Sequence, residues 1–98
     1  MIVKAEDGTL VNMRLVRSIK IIDTPSSTDY SLAAVYPDAH AERLLRHNDP
    51  DYLAEIRDLL GLDWVAAQAR PSEIEEVATI EGYIELAAKR RRDATGDL

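Results

Sequence analysis

Asp38, His40 and Glu42 are spaced two residues apart. On a β-strand, alternate side chains share a face. The three would then converge on one divalent cation, which imidazole and carboxylate ligands suit. The same residues also fit a turn aspartate followed by the solvated side of a strand, and no fourth ligand is evident. His47-Asn48-Asp49-Pro50-Asp51 sets an imidazole beside carboxylates, the raw material of general acid–base work. Turn and helix-cap chemistry accounts for each of these residues as well. Pro25-Ser26-Ser27-Thr28 offers three hydroxyls, but lacks the glycines and following helix that a phosphate cradle needs. No Gly-rich nucleotide motif, Ser-nucleophile motif or paired-His metal motif occurs. The absence of Cys excludes disulfides, thiolate metal sites and a thiol nucleophile. The expectation is no catalytic residue and no cofactor, with Asp38, His40 and Glu42 as the metal candidates.

Charge offers a different kind of working surface. Residues 1–48 carry six Lys/Arg and six Asp/Glu, whereas residues 49–98 carry six and twelve, so the net charge of -6 lies wholly in the second half. Between Asp49 and Ala88 there are ten acids and two arginines. Such a segment is either a solvated helix exterior or a face that steers a basic partner. Lys89-Arg90-Arg91-Arg92 forms a basic run that also complements a helix C-terminus. An acidic chain lacks the basic surface that phosphate neutralisation requires, so nucleic acid is not the expected partner. The candidate interaction surface comprises Glu73, Glu76, Ile80, Glu81, Tyr83 and Ile84, together with Trp64.

The elements that must position these residues change character at Asn48-Asp49-Pro50. Before it, apolar residues fall in short runs bounded by turn residues; after it, they recur every three or four. Residues 2–6 and 9–13 flank Asp7-Gly8 and read as a hairpin with a type I′ turn. That register sets Ile2 opposite Met13, Lys4 opposite Val11, Val3 opposite Asn12 and Ala5 opposite Leu10, leaving both faces mixed. The run Asp7 to Met13 resembles the strand, glycine turn and strand that open small bacterial proteins of unknown function, and assigns no family. Leu15–Ile22 is rich in β-branched residues and reads as a strand; Tyr30–Tyr36 is a second. Residues 40–47 suit either a helix or a strand; the short Pro37-Asp38-Ala39 turn favours the strand. Asp49 as N-cap and Pro50 at the first helical position open a helix, which Gly61 should close. A short helix over 63–70 follows. Ser72 with Glu75 matches a capping box and starts a last helix over 72–92, whose seam is Ile74, Val77, Ile80, Ile84 and Ala87 or Ala88. Residues 93–98 are expected as a frayed tail.

Ninety-eight residues, 46% hydrophobic and 31% charged, suit one domain with a modest aliphatic core. The expected fold is α+β: an antiparallel sheet of four to five strands within residues 2–47, packed with two to three C-terminal helices. The expected function is a small cytoplasmic protein-interaction module, bacterial or phage in style. It would bind another protein or, as a homodimer, itself, through the acidic and amphipathic helical surface, without a membrane. The alternatives are a phage-type inhibitor or nucleic-acid mimic blocking a basic host site, and a small metal protein or enzyme using Asp38, His40 and Glu42.

Overall fold

A computed structural model describes residues 1–24, 26–69 and 76–95. The architecture is α+β, with two helices and two three-stranded sheets among the described residues. No described helix is long and apolar enough to cross a membrane.

The first sheet is built on β1 (Ile2–Lys4), with β2 (Leu10–Asn12) antiparallel on one side and β6 (Val77–Thr79) parallel on the other. The hairpin forms as expected, but its register is shifted by one residue: Val3 faces Val11, and Lys4 faces Leu10. The cause is the turn. Gly8 N–H donates to Ala5 O at 3.0 Å and Ala5 N–H to Thr9 O at 2.8 Å. Gly8 alone takes a positive φ, of 91°. This is a type I turn followed by a glycine bulge rather than the expected type I′ turn. A one-residue slip moves every side chain to the other face. Here it resolves the mixed faces, because Met1, Val3, Ala5, Val11 and Met13 are all buried.

The second sheet is antiparallel, in the order β3 (Ser18–Asp23), β4 (Tyr30–Val35), β5 (Ala41–His47). The strand reading of residues 41–47 therefore holds. The β4–β5 turn repeats the chemistry of the first: Ala39 N–H donates to Tyr36 O at 3.0 Å, and Tyr36 N–H to His40 O at 2.8 Å. In both turns an aspartate two residues upstream accepts from the backbone, Asp7 from Thr9 at 2.9 Å and Asp38 from His40 at 3.0 Å. That bond holds the Asp7 carboxyl below its ordinary pKa. The position Gly8 fills in one turn is occupied by Ala39 in the other, at φ 70°. A left-handed L-residue costs about 1–2 kcal/mol, and glycine returns about half of that as lost backbone entropy. Ala39→Gly is accordingly expected to stabilise the protein by about 0.5–1 kcal/mol, read as a higher urea midpoint at unchanged m-value.

A bulge in β5 joins the two sheets. Leu32 pairs with Leu45 and Ala33 with Arg43, which leaves Leu44 as the extra residue. Both leucines are buried. The Leu44 carbonyl accepts from Glu6 N–H at 3.0 Å, and the Glu6 carboxylate accepts from Arg46 N–H at 2.9 Å.

Helix α1 spans Pro50–Ala69, 20 residues, in place of two helices separated at Gly61. Its start is as expected, with Asp49 Oδ1 accepting from Asp51 N–H at 2.9 Å. Gly61 does not end it, because Leu53, Ile56 and Leu60 lie fully buried on one face and Trp64 and Ala67 continue that face against the core. Tertiary packing outweighs the roughly 1 kcal/mol a mid-helix glycine costs. Helix α2 spans Ile80–Thr95. Its N-cap is Thr79, whose hydroxyl accepts from Gly82 N–H at 3.0 Å. The expected helix over 72–92 is thus corrected at both ends. Val77 belongs to a strand, residues 93–95 are helical, and the Ser72–Glu75 box lies outside the described residues.

Candidate interaction surface

Helix α1 buries one face and leaves the opposite one open. The outward face changes character at Gly61. Asp51, Glu55 and Asp58 mark its first half; Leu62, Val65, Ala66 and Ala69 form its second at the spacing i, i+3, i+4, i+7. Leu62 is 71% exposed and Val65 63%. Asp63 is the one charged residue between Gly61 and Ala69, and it is tied to the core side, accepting from Tyr83 Oη at 2.7 Å. On the flank toward β3, a shallow, mostly apolar groove of about 670 Å³ runs between Ile19 and the Gly61–Ala66 stretch of the helix, with Arg57 and Asp58 also in its lining. Apart from Asp63 and Gln68 the segment is apolar, yet half of it faces outward.

The residues expected to form the interaction surface divide. Ile80 is 0% and Tyr83 5% exposed, so both are core residues rather than docking residues. Ile84 and Trp64 are half-buried and pack against the core. Trp64 is also pinned by Nε1–H donating to Met13 O at 2.9 Å. Glu76 and Glu81 face outward. The Glu76 carbonyl accepts from Ile2 N–H at 2.8 Å, which ties the β6 approach to β1. Glu73 lies outside the described residues. Leu62 and Val65, which the sequence reading did not place on the surface, are exposed apolar residues. Their signal is present in the sequence once Gly61 is read through rather than as a stop.

Burial pushes the Tyr83 hydroxyl well above the ordinary tyrosine value of 10.0, helped by the hydrogen bond to Asp63 and the charges of Asp63 and Glu76. A raised folded-state pKa means the unfolded chain releases this proton first, so Tyr83 supports the fold fully below pH 10 and loses that support as pH rises above it. Wild-type stability should therefore fall in this alkaline range, and Tyr83→Phe should fall less steeply. Comparing denaturant midpoints of the two proteins between neutral and alkaline pH checks it.

The basic run does not stand apart from the acids. Arg91 Nη2 lies 2.8 Å from Glu55 Oε2, and its guanidinium sits 5.2 Å from the Tyr52 ring centroid. The other ring neighbour of Tyr52 is His47, 4.3 Å between centroids. Arg90 and Arg91 line one groove with Asp51, Glu55 and Asp58. The acidic segment is therefore partly neutralised within the molecule.

The chemical candidates each have partners within the fold. His47 Nδ1 accepts from Asp49 N–H at 3.0 Å, within the turn that opens α1. Ser27 Oγ accepts from Arg46 Nη2 at 3.0 Å, and Asp29 pairs with Arg46 Nε at 2.8 Å; Pro25 lies outside the described residues. His40 Nε2 meets Glu42 at 3.0 Å, and its ring stacks on Tyr36. Asp38 instead uses its carboxylate on its own turn. His40 and Glu42 meet without Asp38, and no group of three His, Cys, Asp or Glu able to hold a metal occurs among the described residues. Comparison with protein families, curated proteins and solved structures finds no match to the chain.

Proposed function

We propose that the protein is a small non-enzymatic interaction module that docks through the outward face of α1. The observation carrying this reading is the stripe of Leu62, Val65, Ala66 and Ala69, held open on a helix whose opposite face is locked into the core. Contiguous apolar surface on an otherwise charged exterior marks an association site. The acidic first half of the helix and Glu81 on α2 would steer approach and orientation. A purely electrostatic mimic of nucleic acid has less support, because Arg91 engages Glu55 on that same surface. A cytoplasmic place of action is part of the proposal and rests on the Cys-free composition.

The test is affinity capture from host lysate with wild-type and Leu62→Asp/Val65→Asp baits, at low and high salt. The expected result is association, with itself or another protein, that survives high salt and is lost with the double variant. Identical retention by both baits would refute the docking face.

A further inference from the structure

We propose that β3 takes up an extended segment of a partner protein as a fourth strand of the second sheet, with alternate partner side chains seated in the groove between β3 and α1. The proposal goes beyond the docking face on α1, from which it borrows only the helix wall at Leu62 and Val65.

Backbone hydrogen bonding selects an extended occupant. β3 ends its sheet, and no described residue pairs with its outer edge. At the other end of the sheet, Glu6 engages Leu44 O and Arg46 N–H of β5. The strands that end the first sheet, β2 and β6, have three residues each, against six in β3. Two bonds fix which way the β3 backbone points. Thr24 N–H donates to Asp29 O, which makes these a hydrogen-bonded pair one step beyond Asp23 and Tyr30. Tyr36 N–H donates to His40 O, so the even-numbered residues of β4 turn toward β5. Bonded and non-bonded pairs alternate along an antiparallel ladder. Ser18, Lys20 and Ile22 therefore bond to β4, while Ile19, Ile21 and Asp23 turn N–H and C=O to the open edge. An added strand satisfies such a row; a helix cannot, because its own turns use its backbone groups.

The groove then selects side chains. Residues opposite Ile19 and Ile21 share their face, which packs toward the core and α1. Gly61 leaves room there, since a Cβ on it would meet no heavy atom within 4 Å. Trp64, held by Met13 O, is a fixed apolar wall. Arg57 and Asp58 also line the groove, but lie 3.5 Å apart and answer each other's charge. On the opposite face Lys20 is exposed, forms no ion pair among the described residues, and has Arg43 across Ala33. An acid opposite Lys20 is therefore favoured. The partner segment reads apolar, acidic, apolar. A second copy of β3 matches this poorly. Same-face pairing centred on the strand opposes Lys20 to itself, or seats Asp23 opposite Ile19 in the groove.

An NMR titration of isotope-labelled protein with the capped peptide Thr-Thr-Val-Glu-Val-Thr-Thr tests the proposal. The amides of Ile19 and Ile21 should shift and exchange more slowly, together with shifts at Gly61–Ala66. N-methylation of both valines should weaken binding by at least about tenfold, whereas N-methylation of the glutamate, which points away from β3, should leave it intact. Gly61→Leu fills the groove while improving helix propensity, so it should weaken binding comparably without loss of thermal stability. Lys20→Glu should weaken binding, and replacing the peptide's glutamate by lysine should restore it. No shift at millimolar peptide would overturn the proposal, as would equal losses from N-methylation at valine and at glutamate. Shifts confined to the outward face of α1 would leave the docking face standing and overturn the strand. Peptide bound at β3, with lysate capture indifferent to Leu62→Asp/Val65→Asp, would uphold the strand and refute the docking face.

Discussion

Ile80→Ala is expected to destabilise the protein by about 2–5 kcal/mol, the range for truncating a fully buried aliphatic side chain. Ile80 sits at the junction of β6 and α2 with no solvent exposure, where strand and helix meet the shared core. Truncation removes contacts to a core that collapses only partly, so both the lost transfer free energy and the cavity count. A domain of this size has about 5–15 kcal/mol in total, and each kcal/mol moves the thermal midpoint by about 4–8 °C. The thermal midpoint should therefore drop by about 8 °C or more. The same variant separates two roles for this residue. A docking isoleucine would lose association and keep its stability. A core isoleucine loses stability, and its dilute thermal midpoint falls whether or not a partner is present.

Leu60→Ala and Leu62→Ala should differ more than any neighbouring pair on α1. Leu60 is 0% and Leu62 71% exposed. Leu60→Ala should cost about 2–5 kcal/mol, whereas a surface substitution such as Leu62→Ala falls within about 0.5 kcal/mol of neutral. Urea unfolding of both variants, at concentrations low enough to keep the chains apart, measures the contrast. A large loss in Leu62→Ala under those conditions would mean that the stripe is covered within the single chain. The result then bears directly on whether Leu62 is free to meet a second protein.

These two helix positions also show what the sequence makes legible. The start of α1 is written locally, because Asp49 and Pro50 each have one use at that spot. Its end is not. Gly61 carries the local signature of a stop, and only the packing of Trp64 and Ala67 on the core shows that the helix continues. The β6 strand was hidden for a related reason. Val77 and Ile80 are three apart and fit a helical seam, so the short strand Val77–Thr79 leaves no periodic trace. The hairpin at Asp7-Gly8 was legible as a hairpin, whereas its register depended on whether one or two residues took positive φ. The candidate site suffered most from the lost strand. With β6 read as helix, Ile80 and Tyr83 were placed on the candidate interaction surface, whereas in the helix that begins at Ile80 both are buried. By contrast, residues 40–47 fitted helix and strand almost equally, and the short Pro37-Asp38-Ala39 turn with the helix start at Asn48-Asp49-Pro50 tipped the reading to the strand that forms.

The parallel pairing of β1 with β6 has a consequence for the order of assembly. Ile2 pairs with Val77, so the first strand of the chain meets its second neighbour only after almost the whole polypeptide exists. The β3–β4–β5 meander closes through short loops and can form early, while a ladder between distant segments waits on a large loss of chain entropy. On a ribosome, β1 and β2 emerge first, and the second edge of β1 stays unpaired until residues 77–79 arrive. An isolated hairpin is marginal in water. The amino-terminal face of the core is thus completed from the carboxyl-terminal end, and early termination upstream of Val77 would leave β1 with an open edge, at risk of pairing with another chain.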